Sequence, residues 1–196
     1  MKEENRLRLI LASASPRRKA LLERLGIPFA VQVSQAEEKV DPSWSPEETA
    51  RRLALLKAQD VAGEAKEALV IGADTIVVLD GEILGKPASP EEAKDMLRRL
   101  SGRRHEVITG LALIDTASGA VDHCHETTIV WFRHLAEEEI DWYVATGEPL
   151  DKAGAYGIQG KGALLVERIE GCYFNVVGLP LTRLYLLLRA KGFKLS

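Results

Sequence analysis

Residues 68–79 read ALVIGADTIVVL, twelve positions with a single charge, and an Asp80-Gly81 pair follows. So long a run of apolar and β-branched residues reads as a strand. Asp-Gly is a pair suited to a two-residue hairpin loop, which needs positive φ at both central positions, so a second strand is expected in the EILGKP that follows. The rest of the fold has to be built around this hairpin.

The flanking sequence supplies helices and further strands. RLILAS reads as a buried strand. Ser15-Pro16 then makes a helix start, a capping hydroxyl followed by a ring with its φ already set, and the helix ends at Gly26. PFAVQV is expected to be a strand leading into the acidic loop SQAEEKVD. A second helix is expected over 46–62 with Ser45 as cap, and a third after Ser89-Pro90. HEVITGLALIDTASGAVDHCHETTIVWFR reads as two long strands joined at TASG. AEEEIDWYVATG reads as a helix, the glycine-rich DKAGAYGIQGKGA as a loop, LLVERI as a strand, and LPLTRLYLLLRAKGF as a closing amphipathic helix. Early alternation of strands and helices, with antiparallel hairpins in the middle, gives an α/β class with a mixed sheet.

The 196 residues can build one substantial core, as one domain or two merged lobes. Lys and Arg number 26 against 29 Asp and Glu, a net charge of −3, so there is no global basic surface of the kind that binds nucleic acid. Any anion site must be local. Cys124 and Cys172 lack paired spacing, which fits a reducing compartment. The stretch MKEENRLRLILASASP is charged and interrupted, unlike a signal peptide, and no run nears the roughly 18 apolar residues of a spanning helix. A cytoplasmic location without membrane association is expected.

Several residues fit poorly with a purely structural role. In LILASASPRR (9–18) a strand-like run stops at small hydroxyl residues and paired cations, Arg17 and Arg18. Either this is a capped, solvated helix start or an anion sits there. Steps of about 100° per residue place Lys57 within the apolar stripe of Ala50, Leu53, Ala54 and Val61. Its ammonium either snorkels past the edge or points at an anion. Asp74 is the lone charge in VIGADTIVV, and a buried carboxylate must be paired, metal-bound or protonated. Counting outward from the Leu79–Glu82 pair of the hairpin puts Lys86 opposite Thr75, at the same end of the ladder as Asp74. Glu38 alone would read as a solvated surface charge.

Other motifs carry less. DHCHE (122–126) places His123 and His125 on one strand face with no matching second cluster, which argues against a metal site. GAYGIQGKG matches neither a P-loop nor a dinucleotide-binding fingerprint. What remains is a set of local cations, isolated carboxylates and a helix N-terminus, which suits a polyphosphate–metal complex.

With these residues in view, the chain resembles the Maf family of nucleoside triphosphate pyrophosphatases, once described as septum-formation inhibitors with a link to cell-division arrest. The resemblance runs nearly the whole length. It is carried in order by LASASPRR, the acidic EE after the second strand, LALLKA, GADTIV, GKP, SGRRHEVITG and DKAGAYGIQG, and the last block looks like the dTTP- and UTP-hydrolysing subfamily. The resemblance implies one Maf-like domain over 1–196: a mixed, strongly bent central sheet flanked by helices, with a cleft between two lobes. It also implies a homodimer, a nucleoside triphosphate substrate and a divalent cation, Mg²⁺ or Mn²⁺. Asp74 matches the catalytic acidic residue, with Lys57 and Lys86 as catalytic cations. Arg17, Thr75 and Gln159 match positions that set substrate preference, and Glu38 lies in the cleft. Ser13 and the first turn of the helix that carries Arg17 and Arg18 would face the triphosphate, with Arg17 the arginine expected to meet it.

The reaction so implied is water attack on the α-phosphorus, releasing monophosphate and pyrophosphate. Glu38 and Asp74 would hold the metal, with Asp74 a general base, a metal ligand or both. The Gln159 amide can donate and accept, which matches the N–H between two carbonyls of uracil or thymine. Two other readings compete: a house-cleaning pyrophosphatase for modified purine nucleotides, and a non-catalytic nucleotide-binding regulator of septum formation.

Overall fold

A computed structural model of the chain describes residues 8–193; the first seven residues of the charged N-terminal stretch, and both ends of the expected 1–196 domain, lie outside them. In chain order the elements are β1 (Arg8–Leu11), α1 (Pro16–Glu23), β2 (Ala30–Val31), α2 (Pro46–Ala62), β3 (Ala68–Leu79) and β4 (Glu82–Leu84). They continue with α3 (Pro90–Leu100), β5 (Arg104–Asp115), β6 (Val121–Phe132), α4 (Glu137–Ala145), β7 (Val166–Glu170), α5 (Tyr173–Val177) and α6 (Leu181–Ala190). The strands form one seven-stranded sheet in the order β2-β1-β3-β5-β6-β7, with β4 pairing β3 off that path. β1 runs parallel to β2 and β3, and the other pairings are antiparallel, so the sheet is mixed.

The hairpin forms as its sequence dictates. Asp80 and Gly81 both take positive φ, 52° and 83°, and Leu79 faces Glu82. The ladder stops at Val77–Leu84, short of Lys86. The three serines expected as caps do cap: the hydroxyls of Ser15, Ser45 and Ser89 accept the N–H of Arg18, Glu48 and Glu92. Each serine is followed by a proline in the first turn.

β3 is buried on both faces, and alternation sorts its residues. Leu69, Ile71 and Ala73 join a cluster with β1, α1 and α6, while Val77 and Leu79 on the same face join a second one with α3 and α4. Thr75 falls at the boundary between the two. The opposite face, with Ala68, Val70, Ile76 and Val78, lies under α2. Two glycines let that helix come close. A Cβ on Gly72 would stand 2.1 Å from the Ala54 carbonyl oxygen, and one on Gly110 would stand 1.9 Å from that of Ala50. Gly110 pairs with Asp74 across β3 and β5.

Three expectations need correction. The strand expected over PFAVQV shrinks to the two residues of β2, because only Ala30 and Val31 have a partner in β1 and the segment lies at the sheet edge. The expected loop 151–163 is instead wound into 3₁₀ turns: Ala153–Ala155 within it, Glu148–Asp151 running into its start, and Gly160–Leu165 overrunning its end. A short helix, α5, forms where no helix was expected. Among the described residues no helix is long and apolar enough to cross a membrane.

Candidate functional site

A cavity of about 680 Å³ is lined by residues from both faces of β3, Asp74 and Ile76 on one and Thr75 and Val77 on the other. Its wall takes in the β1–α1 turn, the segment after β2, one edge of α2, the middle of β3, the end of the β4 hairpin and residues 151–159. Ser13, Arg17, Arg18, Glu38, Lys57, Asp74, Thr75, Lys86 and Gln159 all border this space. The structure therefore borders one cavity with all nine residues expected to act on a triphosphate and its metal.

Its charged centre lies where α2 crosses β3. Asp74, buried to 8% exposure, accepts from Lys57 Nζ at 2.5 Å, and Glu38 Oε1 lies 2.9 Å from the same nitrogen. Of the two directions open to the lysine, inward is the one taken. The close seating of α2 on Gly72 and Gly110 brings its edge within reach of the sheet. Asp74 is thus paired rather than buried alone, and Glu38, exposed on its own loop, belongs to the same cluster.

The two adjacent arginines have different surroundings. Arg18 is buried, and its guanidinium donates to the Gly178 carbonyl at 2.8 Å, Ser13 Oγ at 3.1 Å and Thr75 Oγ1 at 3.0 Å. Burial pulls its pKa below the usual guanidinium value, and the charge of Asp74 opposes that shift. Arg17 is more open and lies 3.6 Å from Asp151. Ser13 Oγ also accepts the Ser15 N–H, bracing the turn ahead of α1. Lys86 is exposed at the rim and makes no ion pair with the described residues.

Behind Thr75 lies a polar belt the sequence did not announce. Thr75 Oγ1 is 2.9 Å from Thr109 Oγ1, which donates to the Asn175 carbonyl oxygen. The Asn175 amide donates to the Val107 carbonyl and to Thr128 Oγ1. Asn175, Thr109 and Thr128 are fully buried, so these bonds satisfy groups that water cannot reach. They also hold α5 against the sheet. Lys152 and Tyr156 are further polar residues of the wall. Both lie in the DKAGAYGIQG block, where the glycines are the stronger signal in the sequence. Tyr156 OH is 2.7 Å from His105 Nε2, and burial drives that imidazole's pKa down to about 4.

Two carboxylates beside cations and a helix start, in one cavity, can take up a phosphate chain with a hard cation. Among the described residues no three His, Cys, Asp or Glu side chains cluster as a closed metal site. Glu38 and Asp74 nevertheless converge on one positive charge, the Lys57 ammonium. Two oxygen donors with room for ligand oxygens fit Mg²⁺ or Mn²⁺ held jointly with a substrate.

Comparisons with known proteins bear on the family and the fold of the whole chain. A family model described as Maf-like protein matches residues 8–191. A dTTP/UTP pyrophosphatase of Moorella thermoacetica is 56% identical over 185 residues, covering 94% of this chain and 95% of that protein. One from Symbiobacterium thermophilum is 55% identical, covering 94% of each. Among solved structures, the Staphylococcus aureus Ham1 protein aligns with a TM-score of 0.52 over 94% of this chain and 99% of that one. At 17% identity, that is a likeness of fold.

Proposed function

This chain belongs to the Maf family, and on that footing we propose that it hydrolyses nucleoside triphosphates, dTTP and UTP foremost, to the monophosphate and pyrophosphate. The observation that carries the reading is the convergence of Asp74 and Glu38, each within 3 Å of the Lys57 ammonium, beside a cavity that Gln159 also lines. Relatives more than half identical over nearly their whole length, named dTTP/UTP pyrophosphatases, support it. One Maf-like domain over 1–196 and a homodimer belong to the same reading and rest on the family likeness; a cytoplasmic location belongs to it too and rests on the sequence.

The residues have distinct tasks in this proposal. Water attacks the α-phosphorus, the bond from that atom to the bridging oxygen breaks, and pyrophosphate leaves. Asp74 takes the proton from the water. To do so it must be released from Lys57, and arriving phosphate oxygens supply the ammonium with a new partner. Lys57, Lys86 and Arg17 then spread positive charge over the leaving group. Glu38 and Asp74 would hold a divalent cation, which when bound neutralises phosphate charge and acidifies water. Arg18 fixes the wall by joining Ser13, Thr75 and the Gly178 carbonyl.

Base choice falls to Gln159 and Thr75. An amide pairs with the donor between two carbonyls in uracil and thymine, and a buried polar pairing of this kind separates substrates far better than apolar shape. The test is pyrophosphate release from UTP, dTTP, CTP, GTP, ATP and modified purine triphosphates, with Mg²⁺ or Mn²⁺ and a coupling pyrophosphatase. Rates for UTP and dTTP should exceed the others by about 100-fold or more. Preference for modified purines would overturn the substrate assignment, and nucleotide binding without product would favour a regulator.

A further inference from the structure

We propose that Glu148 and Tyr143 are positioning residues for base selection, acting by clamping the loop 157–162 that carries Gln159; this rests on the reading of Gln159 given above. An amide that reads a base edge must present its donor and acceptor at a fixed place. Yet this loop holds glycines at 157, 160 and 162, and Gly160 sits at φ +64°, so its own backbone resists little. Something outside the loop has to hold it.

The structure supplies that hold from one carboxylate and one phenol. Glu148 Oε1 accepts from Tyr143 OH at 3.1 Å and from the Gly162 N–H at 3.2 Å, and Oε2 accepts from the Lys161 N–H at 3.2 Å. Tyr143 OH in turn accepts the Gly157 N–H at 3.3 Å. Both ends of the loop are thereby tied to a single hydrogen-bonded unit rooted in α4, where Tyr143 is fully buried. The ends also touch each other. A Cβ on Gly162 would stand 2.1 Å from the Gly157 carbonyl oxygen and 2.6 Å from the Tyr143 hydroxyl. Between the pinned ends, Ile158 enters the core and Gln159 borders the cavity. Neither Glu148 nor Tyr143 lines the cavity, so any effect of theirs on nucleotide choice passes through the loop.

Each clamp residue can be changed with little loss of volume. Glu148→Gln keeps one acceptor oxygen and puts an amide donor where Oε2 accepts from Lys161. Tyr143→Phe removes one oxygen and strands the Gly157 N–H. Kinetics of both variants, of Gln159→Ala and of Glu148→Gln combined with Gln159→Ala would be measured on UTP and CTP, with folding checked by circular dichroism and thermal melting. UTP and CTP differ at the edge that an amide would read. In each clamp variant kcat/KM for UTP should fall about tenfold, chiefly through KM, and the UTP:CTP ratio should narrow by a similar factor. Adding Gln159→Ala to Glu148→Gln should narrow that ratio little further, because both changes remove one interaction. A general loss of stability would instead lower both substrates alike. An unaltered ratio in the folded clamp variants, with Gln159→Ala altered, overturns the clamp alone. An unaltered ratio in Gln159→Ala overturns the reading of Gln159 and the proposal with it. Should Glu148→Gln fail to fold, Tyr143→Phe carries the test.

Discussion

Replacing Gly110 with alanine tests how the sheet and the charged centre are linked. The new Cβ would stand 1.9 Å from the Ala50 carbonyl oxygen, 2.2 Å from its carbon and 2.7 Å from the Arg51 nitrogen. Ordinary contact begins at 3.4 Å, so α2 has to withdraw by 3.4 − 1.9 = 1.5 Å. No side chain can rotate away to relieve this, since the obstructing atoms are helix backbone. Overpacking typically costs about 1–3 kcal/mol, and a backbone clash belongs at the upper end, about 3 kcal/mol. At about 2–4 °C per kcal/mol for a chain of this size, the melting temperature should fall by about 6–12 °C. The same withdrawal reaches Lys57, two turns along the helix from Ala50, and loosens its approach to Asp74. Misplacement by about 1 Å can cost about 100-fold in rate, so pyrophosphate release from UTP should drop by about that factor even well below the melting point. Gly63→Ala is the control. Gly63 caps the same helix at φ −60°, a Cβ there meets nothing closer than 3.6 Å, and stability should hold or rise slightly. If Gly110→Ala melts and turns over like the parent, the helix is not seated on β5, and the argument from glycine to lysine fails.

Asp74→Asn should lower turnover of UTP by about 10²–10⁴ at saturating metal while the fold survives; near-parental turnover would remove Asp74 from the role of base. Arg18→Lys should cost about 2 kcal/mol in thermal or urea unfolding, because a point-like ammonium cannot hold the Gly178 carbonyl, Ser13 and Thr75 together. His105 supplies a pH signature. Its pKa is about 4 when folded against 6.5 ordinarily, so between these values the unfolded chain binds more protons and stability falls as pH falls. The loss from pH 6.5 down to about 4 amounts to about 3 kcal/mol. His105→Gln retains a polar partner for Tyr156 and should flatten that part of the stability–pH curve relative to the parent protein, as followed by melting temperature.

Much of this protein could be read where chemistry acts locally. Asp80-Gly81 forms its turn because those two residues accept positive φ, and Ser15, Ser45 and Ser89 cap because a hydroxyl beside a helix start meets a free N–H. The long strands follow from their apolar, β-branched runs. Asp74 and Lys57 were individually suspect because a lone charge within an apolar pattern requires a partner, whereas Glu38 alone read as a solvated surface charge. Local pattern could not fix where the chain pairs or packs. β2 ends at Val31 because its partner β1 ends at Leu11, and α5 forms where Asn175 locks into the sheet through Val107 and Thr128. The 3₁₀ turns of 148–165 take their form against Val77 of β3, distant in the chain, and against the carboxylate of Glu148 at the segment's own start.

Lys57 shows where the division lies. Helical periodicity by itself determined that this lysine shares the inward stripe of α2, as alternation determined that Asp74 shares a face with Val70 and Ile76. Which way the ammonium points was decided only when Gly72 and Gly110, lacking side chains, let the helix settle onto the sheet and bring the two charges to 2.5 Å. Periodicity assigns a residue to a face, whereas the gap between two faces depends on the shapes of residues far apart in the chain.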